Sequence, residues 1–242
     1  MTERVLPYDR AIVPQETGYW CGPASIQTVL NSRGIRIAER DIARKTEALE
    51  GNVGWDDQDG TDHIRQVAAV LNEYLPGAQY ETVAMPTDPP TPTQRDGLWR
   101  DLTASINAGY GVVINIDAPA SNYPKAVPPS TIDPAYAGGR VFHYFAAMGW
   151  SDDGPRRVWI ADSGFSPFGY WIGFDQLASL VPPKGYTFAA VKPALSLADT
   201  ELSKRYPSRS KYRANDEPVD TLAGFILNID ARIHERYTEA RS

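Results

Sequence analysis

The residues best suited to chemistry stand in the run Gln15-Glu16-Thr17-Gly18-Tyr19-Trp20-Cys21-Gly22-Pro23-Ala24-Ser25. Cys21 is the chain's only cysteine, and it stands where a helix is expected to begin. The positive end of a helix dipole favours an anion, so a thiol there ionises more readily and becomes a nucleophile. Gly22 and Pro23 suit the first helical turn, where a missing N–H costs nothing. Gln15 precedes Cys21 in a loop that can fold back beside the sulfur. Its amide and the Cys21 backbone N–H would then bind an oxyanion together.

A thiolate nucleophile needs a base, and the base needs an orienting group. His143 lies in the apolar run Val141–Trp150, and Asp162 ends a second run that begins at Arg157. Ser151-Asp152-Asp153-Gly154-Pro155 between them is a turn signal, so the two runs read as a hairpin. Pairing Trp150 with Pro155 sets position 143 opposite position 162, with Cβ atoms about 5 Å apart on one face. A slip of one residue would turn them to opposite faces. Taken singly, Cys21 reads as a small buried apolar residue, His143 as a satisfied strand histidine and Asp162 as a turn former. The combination, with Gln15 upstream, favours catalysis. His63 and His234 read as surface or structural residues.

The elements that must position these groups follow from hydrophobic period. Helices are expected from Cys21 to Ser32, stopped by Gly34, and from Glu39 to Leu49. A third, capped by Thr61 or Asp62, places Ile64, Val67, Ala68 and Leu71 on one face. The strand Tyr80–Met85 precedes a fourth helix, which opens in the Pro-rich stretch 87–93 and carries Leu98, Leu102 and Ile106. From Gly111 strands dominate: Gly111–Ile116, the hairpin, Tyr170–Phe174 and Tyr186–Val191, with a short helix around Gln176–Leu180. Helices first and an antiparallel sheet later make an α+β fold, the N-terminal helices packed on a C-terminal antiparallel sheet. The long Pro-rich loop Ala118–Gly139 is expected to form a lid on the substrate side. Trp20 and Trp150, with Tyr19, Trp159, Tyr170 and Trp171, are candidate walls of a substrate groove, although most of these rings read as core. Asp56-Asp57-Gln58-Asp59-Gly60 does not fit a calcium-binding loop, because Trp55 and Gln66 would fall at positions that require carboxylates. It reads as a solvated acidic loop or part of a groove.

The 242 residues bound the architecture to one large domain, or one domain and a short appendage. The domain is expected over 1–195. Residues 196–242 are expected to be a basic linker, Lys204–Arg213, and a short C-terminal segment. A net charge of −6 argues against a nucleic-acid-binding surface. One cysteine and three scattered histidines supply no metal site, and no cofactor motif is present. No run approaches a membrane span and the start lacks an apolar signal segment, so synthesis in the cytoplasm and no membrane insertion are expected.

The run Gln15–Ser25, the strand around His143 and Val158-Trp159-Ile160-Ala161-Asp162-Ser163 resemble the papain-like cysteine peptidases. Within these the chain is similar to the bacteriocin leader (double-glycine) peptidases, cysteine peptidase family thirty-nine. Val5-Leu6-Pro7-Tyr8-Asp9-Arg10, Trp20-Cys21-Gly22-Pro23-Ala24 and Asp162-Ser163-Gly164-Phe165 resemble, more closely, the N-terminal peptidase domains of mycobacteriophage endolysins, the lysin A group. The resemblance spans about residues 1–195. It implies a papain-like fold and cleavage of a peptide bond in host peptidoglycan. Cys21 would be the nucleophile, His143 the base, Asp162 the orienter and Gln15 the oxyanion donor. It further implies downstream lysin domains and release to the wall through a holin pore. Alternatives are a cysteine peptidase or acyltransferase acting on a protein, or an inactive wall-binding module. The sequence does not specify which bond is cut or the oligomeric state.

Overall fold

The computed structural model describes residues 3–50, 60–191, 204–207 and 218–221. The chain divides into two units, Met1–Val191 and Lys192–Ser242.

In the first unit, helix α1 (Cys21–Ser32) buries Ile26, Val29 and Leu30 completely and ends before Gly34, whose positive φ stops the helix. Helix α2 (Glu39–Glu50) turns Ile42 and Ala43 inward. Helix α3 (Ile64–Tyr74) buries Val67, Val70 and Leu71. Its cap is His63 rather than Thr61 or Asp62: the Gln66 side chain reaches back to accept the His63 N–H at 2.6 Å. That reach belongs to the third helical residue, and it fixes where the helix can start. Helix α4 (Pro92–Asn107) starts at a Thr91–Gln94 capping box with proline in its first position, and it buries Leu98, Leu102 and Ile106.

One antiparallel sheet receives these helices. Its path is β2 (Tyr80–Ala84), β7 (Gly185–Ala189), β3 (Val112–Ala118), β4 (Val141–Ser151), β5 (Arg157–Ala161) and β6 (Gly169–Gly173). Strand β1 (Glu3–Val5), which the hydrophobic pattern does not reveal, pairs with Gly149–Ser151 of β4 where β3 has ended. Three residues are too few to show a period. Helix α5 (Phe174–Leu180) follows β6 directly. β3 is buried along its whole length, as expected of a central strand sandwiched between neighbours and helices. Helix α1 packs on β4, and α4 packs on β4 and β7. The fold is α+β, with helices and an antiparallel sheet as expected. The sheet also takes β1 and β2 from the helical half.

The expected hairpin forms in a different register. Ser151 pairs with Arg157 and Trp150 with Val158, so Trp150 does not meet Pro155. A β-bulge then intervenes at Met148, and Ala147 pairs with Ile160 and Ala146 with Ala161. Without the bulge, residues 143 and 162 would fall on opposite faces. The extra residue reverses the alternation, and continuing the ladder sets Asp162 level with Phe145, on the same face as His143.

In the second unit, β8 (Arg205–Pro207) and β9 (Pro218–Thr221) form an antiparallel ribbon. The stretch expected as a plain linker therefore contains a strand. His234, and Thr221–Ile229 beyond Thr221, lie outside the described residues. Among the described residues no helix is long and apolar enough to cross a membrane, and no group of three or more potential ligands clusters for a metal.

Candidate active site

Cys21 opens α1 at one wall of a cleft, and β4 forms the other. The half-buried Cys21 thiol is hydrogen-bonded to His143. The His143 Nε2 lies 2.9 Å from Asp162 Oδ1, so Nδ1 is the nitrogen left for the sulfur. Burial works hardest against ionising Cys21. The His143 hydrogen bond and charge, with the Tyr144 and Gly22 backbone N–H groups, outweigh it, and the thiol pKa is lowered. Burial likewise opposes charging His143, but the Asp162 carboxylate and Cys21 reverse that and raise its pKa. Both directions favour a resting thiolate–imidazolium pair.

Asp162 is fully buried and is the most heavily coordinated group in the site. Besides the imidazole, Oδ1 accepts the Gly164 N–H at 3.2 Å. Oδ2 accepts the hydroxyls of Tyr136 at 2.8 Å and Tyr170 at 3.0 Å. Four donors replace the water that a buried carboxylate loses. Burial, then the carboxylate's own charge, raises both tyrosine pKa values far above the usual range, so both stay neutral donors. Phe165 closes this group from solvent. Its ring stacks on Tyr136 at 3.7 Å between centroids and meets the imidazole edge-on at 5.3 Å.

Gln15 lines the cleft beside Cys21. Its backbone N–H donates to the Ser163 carbonyl at 3.0 Å, and its Oε1 accepts the Ser163 hydroxyl at 2.9 Å. One amide hydrogen goes to the Thr17 carbonyl at 2.6 Å. The amide is thus held with its oxygen tied back and its nitrogen able to donate a second hydrogen. Glu39 of α2 fixes the same loop by accepting the Glu16 N–H on both carboxylate oxygens, at 3.1 and 3.2 Å.

The structure therefore brings Gln15, Cys21, His143 and Asp162 together. It does not bring Trp20 or Trp150 into the cleft. Trp20 is buried toward α2, beside Ala43 and Thr46. Trp150 is buried at the far end of β4, its indole donating to Asn107 Oδ1 at 3.1 Å and set edge-on to Trp99. Both rings serve the core because helix–sheet packing claims their apolar area first. Of the expected rings Tyr19 does line the cleft of about 610 Å³, together with Asn115, Phe142, Phe165 and Lys184, among others. Phe142 is 58% exposed. The loop Ala118–Gly139 is no lid: none of its residues lines the cleft. It is pinned behind the site by Val127 N–H to the Trp171 carbonyl and Ala135 N–H to the Ser166 carbonyl, and its contribution is Tyr136. Of the acidic run, Gly60 lines the cleft, while Asp56–Asp59 lie outside the described residues.

Two glycines are fixed by space. A Cβ on Gly22 would lie 2.5 Å from Thr61 Oγ1, and one on Gly164 would lie 2.9 Å from His143 Cε1. Tyr170 reads from the sequence as a groove or core ring, not as a partner of Asp162, and Tyr136, Phe165 and Ser163 were not identifiable as site residues from spacing. Only the short segment Asp162–Phe165 hinted at the last two.

A lowered thiol pKa, an imidazole favoured in its charged form and an amide donor lining the same cleft are the parts of nucleophilic attack on a carbonyl carbon. Among curated proteins, none matches the chain. The peptidase domain of Streptococcus ComA, a bifunctional ABC transporter of a quorum-sensing pathway, is 17% identical, with 72% of this chain and 93% of that one covered at a TM-score of 0.41. Xylellain, a cysteine protease from Xylella fastidiosa, is 15% identical, covering 78% and 86% at 0.43. Residues 8–172, which hold all four residues gathered around the sulfur, match the Peptidase_C39 like family, and the chain belongs to that family.

Proposed function

We propose that this chain is a cysteine endopeptidase that hydrolyses a peptide bond in host peptidoglycan, as the peptidase module of a phage endolysin acting on mycobacteria. The observation that carries the catalytic reading is the continuous chain of contacts from the Cys21 thiol through His143 to the buried Asp162 carboxylate. The choice of substrate rests on the lysin A-like segments around Leu6, Cys21 and Asp162.

The geometry supports the following mechanism. The Cys21 thiolate attacks the carbonyl carbon. The Cys21 N–H, at a helix start where it has no intrahelical acceptor, and the second amide hydrogen of Gln15 bind the oxyanion. His143 gives its proton to the leaving amine as the carbon–nitrogen bond breaks. It then takes a proton from water, which attacks the thioester carbon; the carbon–sulfur bond breaks, the carboxyl product leaves, and the thiolate–imidazolium pair is restored. Asp162 holds the imidazole with Nδ1 toward sulfur and stabilises its positive charge. The protein is released to the wall by a holin rather than by insertion into the membrane, and further lysin domains follow the peptidase in the full protein.

The test is digestion of purified mycobacterial peptidoglycan by this chain and by Cys21→Ala, with mass spectrometry of soluble products. New peptide termini produced by the wild type alone are expected. Equal release by both proteins would defeat the mechanism. Intact wall, alongside cleavage of a protein substrate, would move the activity to the protein-directed alternative.

A further inference from the structure

The catalytic cleft does not end at Phe142. It continues into a second depression of about 330 Å³, and the two share Asp62, Asn115 and Lys184. The extension adds His63 and Arg65, at the N-terminus of α3. Gly185 pairs with Asn115, and Asn115 pairs with Tyr144. At about 4.8 Å per strand, Lys184 stands roughly 10 Å across the sheet from the strand that carries His143. That is the reach of about three extended residues.

The charge of this wall is opposite to that of the protein as a whole, whose net charge is −6. Neither Lys184 nor Arg65 has an ion pair among the described residues. The Lys184 ammonium lies 4.7 Å from the centre of the exposed Phe142 ring, which holds it at the junction of the two depressions. The N-terminus of α3, an 11-residue helix, adds its positive end beside Arg65. A self-paired surface would have spent these charges on neighbouring carboxylates. Here Asp62 is the only carboxylate among the described residues of the extension.

We infer that this extension is a specificity subsite for a substrate residue bearing a free carboxylate, two or three positions from the scissile bond, held by Lys184 and Arg65. Asp62 on the same wall suits an amine beside that carboxylate, so an amino-acid head group matches the wall better than a lone acid. The inference rests on the peptidoglycan reading, where glutamate and diaminopimelate offer such groups.

The test separates the two. Calorimetry on the Cys21→Ala protein at 150 mM salt would compare two synthetic tripeptides of L-alanine, γ-linked D-glutamate and diaminopimelate, one with free carboxyls and one with carboxamides. The acid form is expected to bind about tenfold tighter, and Lys184→Gln and Arg65→Gln, each added to Cys21→Ala, are each expected to cut that preference about threefold. Circular dichroism of each variant checks its fold. Equal binding of acid and amide, a preference unchanged in both variants, or no binding at all would overturn the subsite. Wall digestion by the otherwise unaltered enzyme is read in parallel. A carboxylate preference without wall cleavage keeps the subsite and rejects the peptidoglycan peptidase.

Discussion

Glu39→Gln should stabilise the protein above neutral pH and leave it unchanged in acid. Glu39 is 1% exposed and meets only the Glu16 N–H at close range on its two oxygens. Burial pushes its pKa up from 4.5 to about 7; the Glu16 N–H opposes this and the Glu16 charge adds to it. The dipole of α2 favours the ionised form at this position, but only by about 0.5 kcal/mol, so burial sets the sign. The folded-state pKa then lies above the unfolded one. Below about pH 4.5 both states are protonated and nothing is lost. As pH rises toward 7 the unfolded chain ionises first, and stability falls. Above 7 the loss is complete, at a ceiling of about 3 kcal/mol for a shift of this size. Glutamine is uncharged throughout and keeps an oxygen for the Glu16 N–H. Thermal melts at pH 5 to 9 should show coincident curves in acid and a variant melting roughly 6–12 °C higher at pH 8.5. Melting curves that run parallel across the whole range, or a gap that is widest at pH 5, would refute the reasoning.

Asp162→Asn should retain the fold and lower kcat by about 100-fold or more, short of the complete loss expected for Cys21→Ala, because an orienting group is lost and not the nucleophile. Rates of iodoacetamide alkylation should show a Cys21 inflection below that of a free thiol, and His143→Ala should move it upward. An unmoved inflection would mean the imidazole does not hold the thiolate. Tyr136→Phe and Tyr170→Phe each strip one donor from a buried carboxylate, and each should cost about 1.5–3 kcal/mol in urea unfolding. Gly164→Ala should reduce kcat with little change in melting temperature, since its methyl group meets the imidazole edge and not the core. Wild-type kcat in that variant would show that His143 can shift without penalty.

The helices were legible because each buries one stripe at helical spacing: Ile26, Val29 and Leu30 announce α1 as clearly in the sequence as in the core. The candidate set was legible because Gln15 and Cys21 sit within one run, and because the hairpin carries His143 and Asp162 on adjacent strands. Register was not legible. The turn is longer than the simplest pairing assumes, and the bulge at Met148 has no period to reveal it. The two departures compensate in parity, so the expected pair met by a different route. Tyr136 was hidden for another reason. It reaches Asp162 across 26 residues from a loop with no regular structure, and nothing local marks one loop tyrosine as a hydrogen-bond donor to a distant carboxylate. The tryptophans misled because size alone does not distinguish a core ring from a groove ring.

The four donors around Asp162 come from four separate stretches of chain: the imidazole from β4, one hydroxyl from the long loop, another from β6 and an N–H from the turn that follows Asp162 itself. No one of these stretches can open alone without exposing a carboxylate that the other three still bury. Loss of the Asp162–His143 half of the site is therefore tied to the opening of several segments together, and no one of the four frays cheaply on its own. An enzyme built this way would lose activity and structure at one denaturant concentration, and its working lifetime would be set by the rate of global unfolding.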